Sequence, residues 1–296
     1  MNGAEAALPP WDERDLSALL TLRETGPWRF RSCHGDANLN GRSYGGQGLG
    51  QAMRAAAMTV APERQATAMQ FMFLQGSAPD RAIDFEVTPL QDGKRFSSRH
   101  VRARQGERIV FDAQVSFAVS LDAPAHADAS TALESQPEEL ASLPPAPWPW
   151  EEALRRLGGY SLNEKSCMDF RIPDVERQLA PATAGAHLRF WLRAREPLAP
   201  EPGLHASAFA YLSDWWLNFS SLGPHIEALR DGRRLYISSL NHCIWFHRPF
   251  AADQWMHVDS RSPCAAEGRG LSIAQVHDRN GRLVASASQE CLMAYA

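Results

Sequence analysis

Gln105-Gly106-Glu107-Arg108-Ile109-Val110-Phe111-Asp112-Ala113-Gln114-Val115-Ser116-Phe117 has the form of a tight turn entering an alternating strand. Asn280-Gly281-Arg282-Leu283-Val284-Ala285-Ser286-Ala287-Ser288-Gln289-Glu290-Cys291 has the same form. Gly106 and Gly281 are 175 positions apart. A second pair, Met72-Phe73-Leu74-Gln75 and Trp245-Phe246-His247-Arg248, recurs with 173 positions between Phe73 and Phe246. Two anchors at a shared offset point to one fold used twice. Aligned through the hairpin glycines with one gap, Gln289 falls opposite Val115. An amide where the other copy has an apolar residue places the chemistry in the second copy.

The length suits that reading. At 296 residues the chain accommodates two domains of about 100–150 residues each. Hydrophobic content of 44% and charge of 22% are ordinary for a globular protein. A net charge of −4 gives no overall attraction to nucleic acid, and no nucleic-acid partner is expected. The five cysteines, Cys33, Cys167, Cys243, Cys264 and Cys291, are odd in number and never form a CxxC pair. That pattern favours reduced thiols and a cytoplasmic protein. The first ten residues lack the basic start and apolar run of a secretory signal. No stretch reaches the roughly 18 apolar residues that would cross a bilayer.

Residues 1–27 are polar and helix-prone, with Trp11, Leu16, Leu19 and Leu20 as possible anchors. Gly45-Gly46-Gln47-Gly48 opens a segment whose apolar positions Leu49, Ala52, Met53, Ala56, Ala57 and Val60 recur at helical spacing. Strands are expected near 67–75, 82–90, 95–105 and 109–119. A helix followed by a strand meander is an α+β arrangement with an antiparallel sheet. Residues 120–180 break the pattern. Pro144-Pro145-Ala146-Pro147-Trp148-Pro149-Trp150 excludes helix interior and central strand, with one helix expected at Glu151–Leu157. The division is therefore 1–125, a connector at 126–180, and 181–296. The second unit repeats the first: a strand at 187–193, a helix over 205–219, and strands near 235–248, 254–264, 269–279 and 282–294.

Tyr44-Gly45-Gly46-Gln47 and its alanine-rich helix resemble the first-half signature of the acyl-CoA thioesterase II family. Three later stretches resemble that family's second-half motifs in order. They are Tyr211-Leu212-Ser213-Asp214, then Ser239-Leu240-Asn241-His242-Cys243-Ile244-Trp245-Phe246-His247-Arg248-Pro249-Phe250, and Asp278 through Glu290. The resemblance implies a double hotdog: two tandem repeats, each with a central helix wrapped by an antiparallel sheet. It implies an enzyme of lipid metabolism that hydrolyses acyl-CoA to free acid and CoA without metal or other cofactor. It also implies a catalytic set of Asp214, Ser239 and Gln289. The residue types suit the task, because a thioester carbonyl yields to water that is deprotonated by an acid side chain and aimed by a hydroxyl and an amide. Gly46 and Gln47 are expected to assist the oxyanion. Trp245 and Arg248 are expected to contact substrate, with Arg248 and Arg269 facing the CoA phosphates. By analogy with other hotdog sheets, a homo-oligomer is expected.

The sequence departs from the family pattern at Gln70 and Gln75, where His and Arg are usual, and at Asn241, where Asp is usual. These changes bear on substrate choice and rate. The alternative they motivate is a degenerate hotdog that binds an acyl thioester or apolar acid without turnover. A hydratase would need its own His/Asp pair on the helix, and none is found. Gly41-Arg42-Ser43-Tyr44-Gly45 fits G-x-S-x-G, but no buried strand precedes it. His242 and His247 are an odd number apart on a strand and face opposite sides, which argues against a shared metal. Trp191, Trp215, Trp216 and Trp245 lie in core-like segments and suit packing better than a ligand cage.

Overall fold

Alternation along the chain sets the strands. In Phe96–Gln105 every second residue is buried from Ser97 to Gln105, as expected of a strand with one face on a core. The computed structural model describes residues 7–38, 41–127, 136–140, 165–179, 184–226 and 234–295. The first-half strands are β1 (Leu22–Gly26), β2 (Arg29–Ser32), β3 (Gln65–Phe73), β4 (Asp84–Asp92), β5 (Phe96–Gln105) and β6 (Arg108–Ala118). The second-half strands are β7 (Met168–Arg171), β8 (His187–Ala194), β9 (Leu235–Phe246), β10 (Met256–Ala266), β11 (Arg269–Asp278) and β12 (Leu283–Tyr295). The helices are α1 (Leu16–Leu20), α2 (Gly45–Ala57), α3 (Val175–Leu179), α4 (Pro202–Ser213) and α5 (Phe219–Leu222).

The two copies do not keep separate sheets. They fuse into one 12-stranded antiparallel sheet of order β1-β2-β4-β5-β6-β3-β9-β12-β11-β10-β8-β7. The join is the β3–β9 ladder, from Ala68↔Trp245 to Met72↔Asn241. Its centre is Gln70↔Cys243, flanked by Met69↔Ile244 and Phe71↔His242. Residues 173 apart thus exchange places about this centre, and the sequence repeat becomes a pseudo-twofold axis. Each copy carries a bulge at the matching place. Thr67 has no partner between the pairs Ala66↔Phe117 and Ala68↔Ser116. Leu240 has none between Ser239↔Cys291 and Asn241↔Glu290.

The helices lie against one face of this sheet and against each other. α2 and α4 run antiparallel: a Cβ on Gly45 would strike Asp214, beyond the end of α4, and one on Gly203 would lie 3.1 Å from the Cβ of Ala57. Glycine is required at Gly46, where a Cβ would run into the carbonyl oxygen of Tyr211 and the Tyr44 ring. α4 is buried over Leu204 and from Ala206 to Leu212, with no polar stripe, as befits a helix enclosed on all sides. Arg54 Nη1 and Glu201 Oε1, 2.5 Å apart, close the far end of the helix pair. Glu201 is half-exposed, so this ion pair contributes at most about 1 kcal/mol. The apolar helix faces hold the pair together.

Several elements differ from the sequence expectation. Among the described residues of the helix-prone N-terminal stretch, only Leu16–Leu20 is helical, and the chain then forms β1 and β2. Leu16, Leu19 and Leu20 are buried, as anchors should be. The second-half helix ends at Ser213, before the expected 219, and Trp216 adopts a positive φ of 62°. β7 and α3 lie within the segment expected as connector, and β7 pairs with β8. The proline-rich run and the expected helix at Glu151–Leu157 lie outside the described residues.

Candidate active site

Asp214 caps the C-terminal end of α4, Ser239 lies just before the β9 bulge, and Gln289 is on the inner face of β12. The structure brings these three together. Gln289 Nε2 donates to Asp214 Oδ1 at 2.5 Å and to Ser239 Oγ at 2.8 Å. Ser239 Oγ donates to Asp214 Oδ1 at 3.5 Å. The Gly46 backbone amide, in the first turn of α2, is a further donor to the Asp214 carboxylate. Burial pushes the Asp214 carboxyl up to about 7, against the hydrogen bonds from Gln289, Gly46 and Ser239 and the nearby charge of Lys165. Gln289 is fully buried, and its Oε1 has no partner among the described residues. A buried acceptor without a donor is costly in a finished core and suits a place where a ligand or water completes the bonding.

The ladders explain why the first copy does not repeat this cluster at the matching positions. Gln289 pairs with His242 as Val115 pairs with Met69, and His242 and Met69 are 173 positions apart. Ser239 pairs with Cys291 as Ala66 pairs with Phe117. Asp214 caps α4 as Met58 caps α2. The first copy therefore has Met58, Ala66 and Val115 where the second has a carboxylate, a hydroxyl and an amide.

A buried network supports the site from below. Lys165 Nζ lies 2.8 Å from both carboxylate oxygens of Asp36, and Tyr211 Oη donates to Asp36 Oδ2 at 2.8 Å. Cys167 Sγ donates to Tyr211 Oη at 3.4 Å, and Lys165 Nζ sits 4.6 Å from the centre of the Tyr44 ring. Burial raises the Asp36 carboxyl, and Lys165 opposes that shift. The network ties the loop before α2 and the chain entering β7 to α4, one turn ahead of Asp214. Ser213 Oγ lies 3.0 Å from His242 Nε2 and donates to the Ala210 carbonyl. Burial pushes His242 down to about 3, so it is neutral. His247, on the outer face, bonds Ser286 Oγ. Among the described residues no group of three or more His, Cys, Asp or Glu could hold a metal ion.

The structure places the other expected substrate contacts as follows. The Gln47 side chain is buried and occupied, with Oε1 accepting from the Asp36 amide and Nε2 donating to the carbonyl of His34 and to Gln51. Its own amide bonds the Tyr44 carbonyl. Trp245 alternates with the inward-facing His242 and Ile244, so it stands on the opposite face of the sheet and is 41% exposed. Arg248 lies nine positions from Ser239, beyond the far end of β9, which is about 30 Å of strand. Arg269 pairs with Glu290 Oε1 at 3.1 Å.

Sequence reasoning missed Lys165 and Asp36, because nothing local links them to Tyr211. It also missed Phe73, whose ring reaches the start of α2 beside Asp214. A small apolar cavity, with room for about one water molecule, lies between α4 and the sheet and is lined by Ser213 and Trp215, the chain neighbours of Asp214, and by Leu212, Phe209, Phe190 and Ala287.

Comparison with known proteins places these features in a family. Residues 34–118 match the family described as acyl-CoA thioesterase N-terminal domain, and residues 137–293 match acyl-CoA thioesterase C-terminal domain. Acyl-coenzyme A thioesterase 8 of Rattus norvegicus is 29% identical over 290 residues, covering 93% of this chain and 87% of the relative. Acyl-CoA thioesterase 2 of Haemophilus influenzae is 27% identical over 291 residues, covering 95% of this chain and 98% of the relative. The crystal structure of an acyl-CoA thioesterase II, TesB2, from Mycobacterium marinum superposes with a TM-score of 0.77 at 30% identity, covering 95% of this chain and 99% of that one.

Proposed function

The chain belongs to the acyl-CoA thioesterase II family, and from that membership we propose that it hydrolyses an acyl-CoA thioester with a water held by Asp214, Ser239 and Gln289. It is an acyl-CoA thioester hydrolase with a double hotdog fold. The observation that carries the residue assignment is the convergence of one carboxylate, one hydroxyl and one amide within hydrogen-bond distance.

The steps follow from these groups. Ionised Asp214 accepts a proton from water as its oxygen attacks the thioester carbonyl carbon. Ser239 and Gln289 fix the direction of attack, and the unpaired Gln289 Oε1 offers the water an acceptor. Charge develops on the carbonyl oxygen in the field of the α2 N-terminus. The carbon–sulfur bond then breaks, and the proton on Asp214 passes to the departing CoA sulfur. The acyl chain enters the apolar space between α4 and the sheet, which must widen to admit it.

Thiol release from a panel of acyl-CoAs tests the proposal. Asp214→Asn keeps the shape and removes the base, and should slow turnover by about a hundredfold or more. Acyl-CoA binding by the native chain without thiol release would favour a degenerate binding protein. Self-association, a cytoplasmic place of work and a role in lipid metabolism belong to the same proposal, and sedimentation at two protein concentrations tests the first. Among the described residues no helix is long and apolar enough to cross a membrane.

A further inference from the structure

The β3–β9 ladder stops at Met72↔Asn241, although β9 continues to Leu235 paired with β12 alone. Beyond Phe73 the chain leaves β9 and follows β6, with the amides of Leu74 and Gln75 donating to the Val110 carbonyl. A gap therefore opens between residues 73–76 and 235–240. Asp214 and Ser239 lie at its inner end.

Two arginines crowd the outer end. Arg108 Nε donates to Gln75 Oε1 at 2.8 Å, and its Nη2 donates to the Gly76 carbonyl at 2.7 Å. Arg42 lies along Gly76: a Cβ there would sit 3.2 Å from Arg42 Cδ and 3.5 Å from Nη1. Arg42 Nη1 also donates to Tyr236 Oη at 3.4 Å, so the side chain touches both walls of the gap. Tyr236 is three strand positions, about 10 Å, from Ser239. Both arginines are exposed, and neither has a carboxylate partner among the described residues. Two guanidinium ions held on one backbone unit repel each other, and a bound anion removes that cost.

We propose that Arg42 and Arg108 form a phosphate-binding subsite for the nucleotide end of CoA, with the pantetheine arm threading the gap to Asp214. The inference rests on the thioesterase reading and deepens it, because it says which end of the site receives the phosphates. Guanidinium groups match phosphate oxygens with paired hydrogen bonds and keep their charge at every working pH.

The test compares an acyl-CoA with the same acyl group on pantetheine, which lacks the phosphates. In Arg42→Gln/Arg108→Gln, the ratio of kcat/KM for acyl-CoA to kcat/KM for acyl-pantetheine should fall about tenfold or more, the loss expected for charge-assisted bonds. Arg29→Gln, which removes an equal charge on β2, should leave the ratio unchanged. An unaltered ratio in the double variant would overturn the subsite, as would an equal loss on both substrates. Calorimetry with CoA alone separates this proposal from the catalytic one. Native protein that releases thiol from neither substrate would sink the thioesterase reading. The subsite stands or falls on whether the double variant binds CoA about tenfold or more weakly than the native chain, and undiminished binding refutes it.

Discussion

Asp214 ends α4, where the helix dipole opposes negative charge, and abuts the first turn of α2, where it favours it. Burial dominates this balance and holds the carboxyl near 7, well above the ordinary carboxylate value of 3.8. Two outcomes follow with opposite signs. In the proposed mechanism the base is the ionised form, so kcat/KM should rise with pH through about 7 and level above it, as a pH-rate profile would record. Stability moves the other way. Below pH 4 the group is protonated in both folded and unfolded chains and contributes no difference. Between pH 4 and 7 the unfolded chain loses its proton first, so the folded state is progressively disfavoured. Above 7 the deficit is full, on the order of 4 kcal/mol for a shift of this size. Asp214→Asn should therefore gain stability relative to the native chain as pH rises from 4 to 7, measured as the difference in Tm. A difference in Tm that stays flat over that range would contradict the raised carboxyl.

The strands and helices place the groups proposed to react, and each does so by a readable device. β9 turns Ser239 inward because Leu240 bulges; without that extra residue the hydroxyl would face the outer side. α4 stops at Ser213, so Asp214 leaves the helix axis and meets α2. The cavity between α4 and β12 is floored by Ala287, a small residue on a buried face. Ala287→Leu should fill that space, lowering stability by about 1–3 kcal/mol. It should also shift the chain-length profile of thiol release toward shorter acyl groups. An unchanged profile would place the acyl chain elsewhere. Much at this scale was legible beforehand. Alternation and turn residues located β3 to β6 and β9 to β12 to within a few positions, and the Gly-rich start of α2 marked its first turn. The N-terminal stretch misled, because its helical pattern is short and the chain is recruited to the sheet edge as β1 and β2.

Across the molecule, fusion of the two copies makes one working unit. The first copy gives the α2 N-terminus and the arginines at Gly76; the second gives Asp214, Ser239 and Gln289. Residues 165–296 alone retain all three polar groups, yet lose the Gly46 amide and expose the β9 edge that β3 covers. That fragment should aggregate and release no thiol, and residues 1–125 alone should also release none. Light scattering with the thiol assay checks both. Activity in the isolated second half would mean that α2 contributes nothing to the chemistry.

The repeat, the alternating strands and the three polar groups of the second copy were written in the sequence, since turn chemistry, periodicity and motif order are properties of neighbouring residues. Val115 opposite Gln289 was legible for the same reason, once the offset was seen. Only the tertiary structure decided that the two sheets join through β3 and β9, that Gly46 reaches Asp214, and that Trp245 and Arg248 turn away while Arg42 and Arg108 gather at the mouth. Those outcomes depend on which face and which end of an element meets a partner tens to more than a hundred positions away. Packing of the whole chain settles such meetings, and no local pattern encodes them.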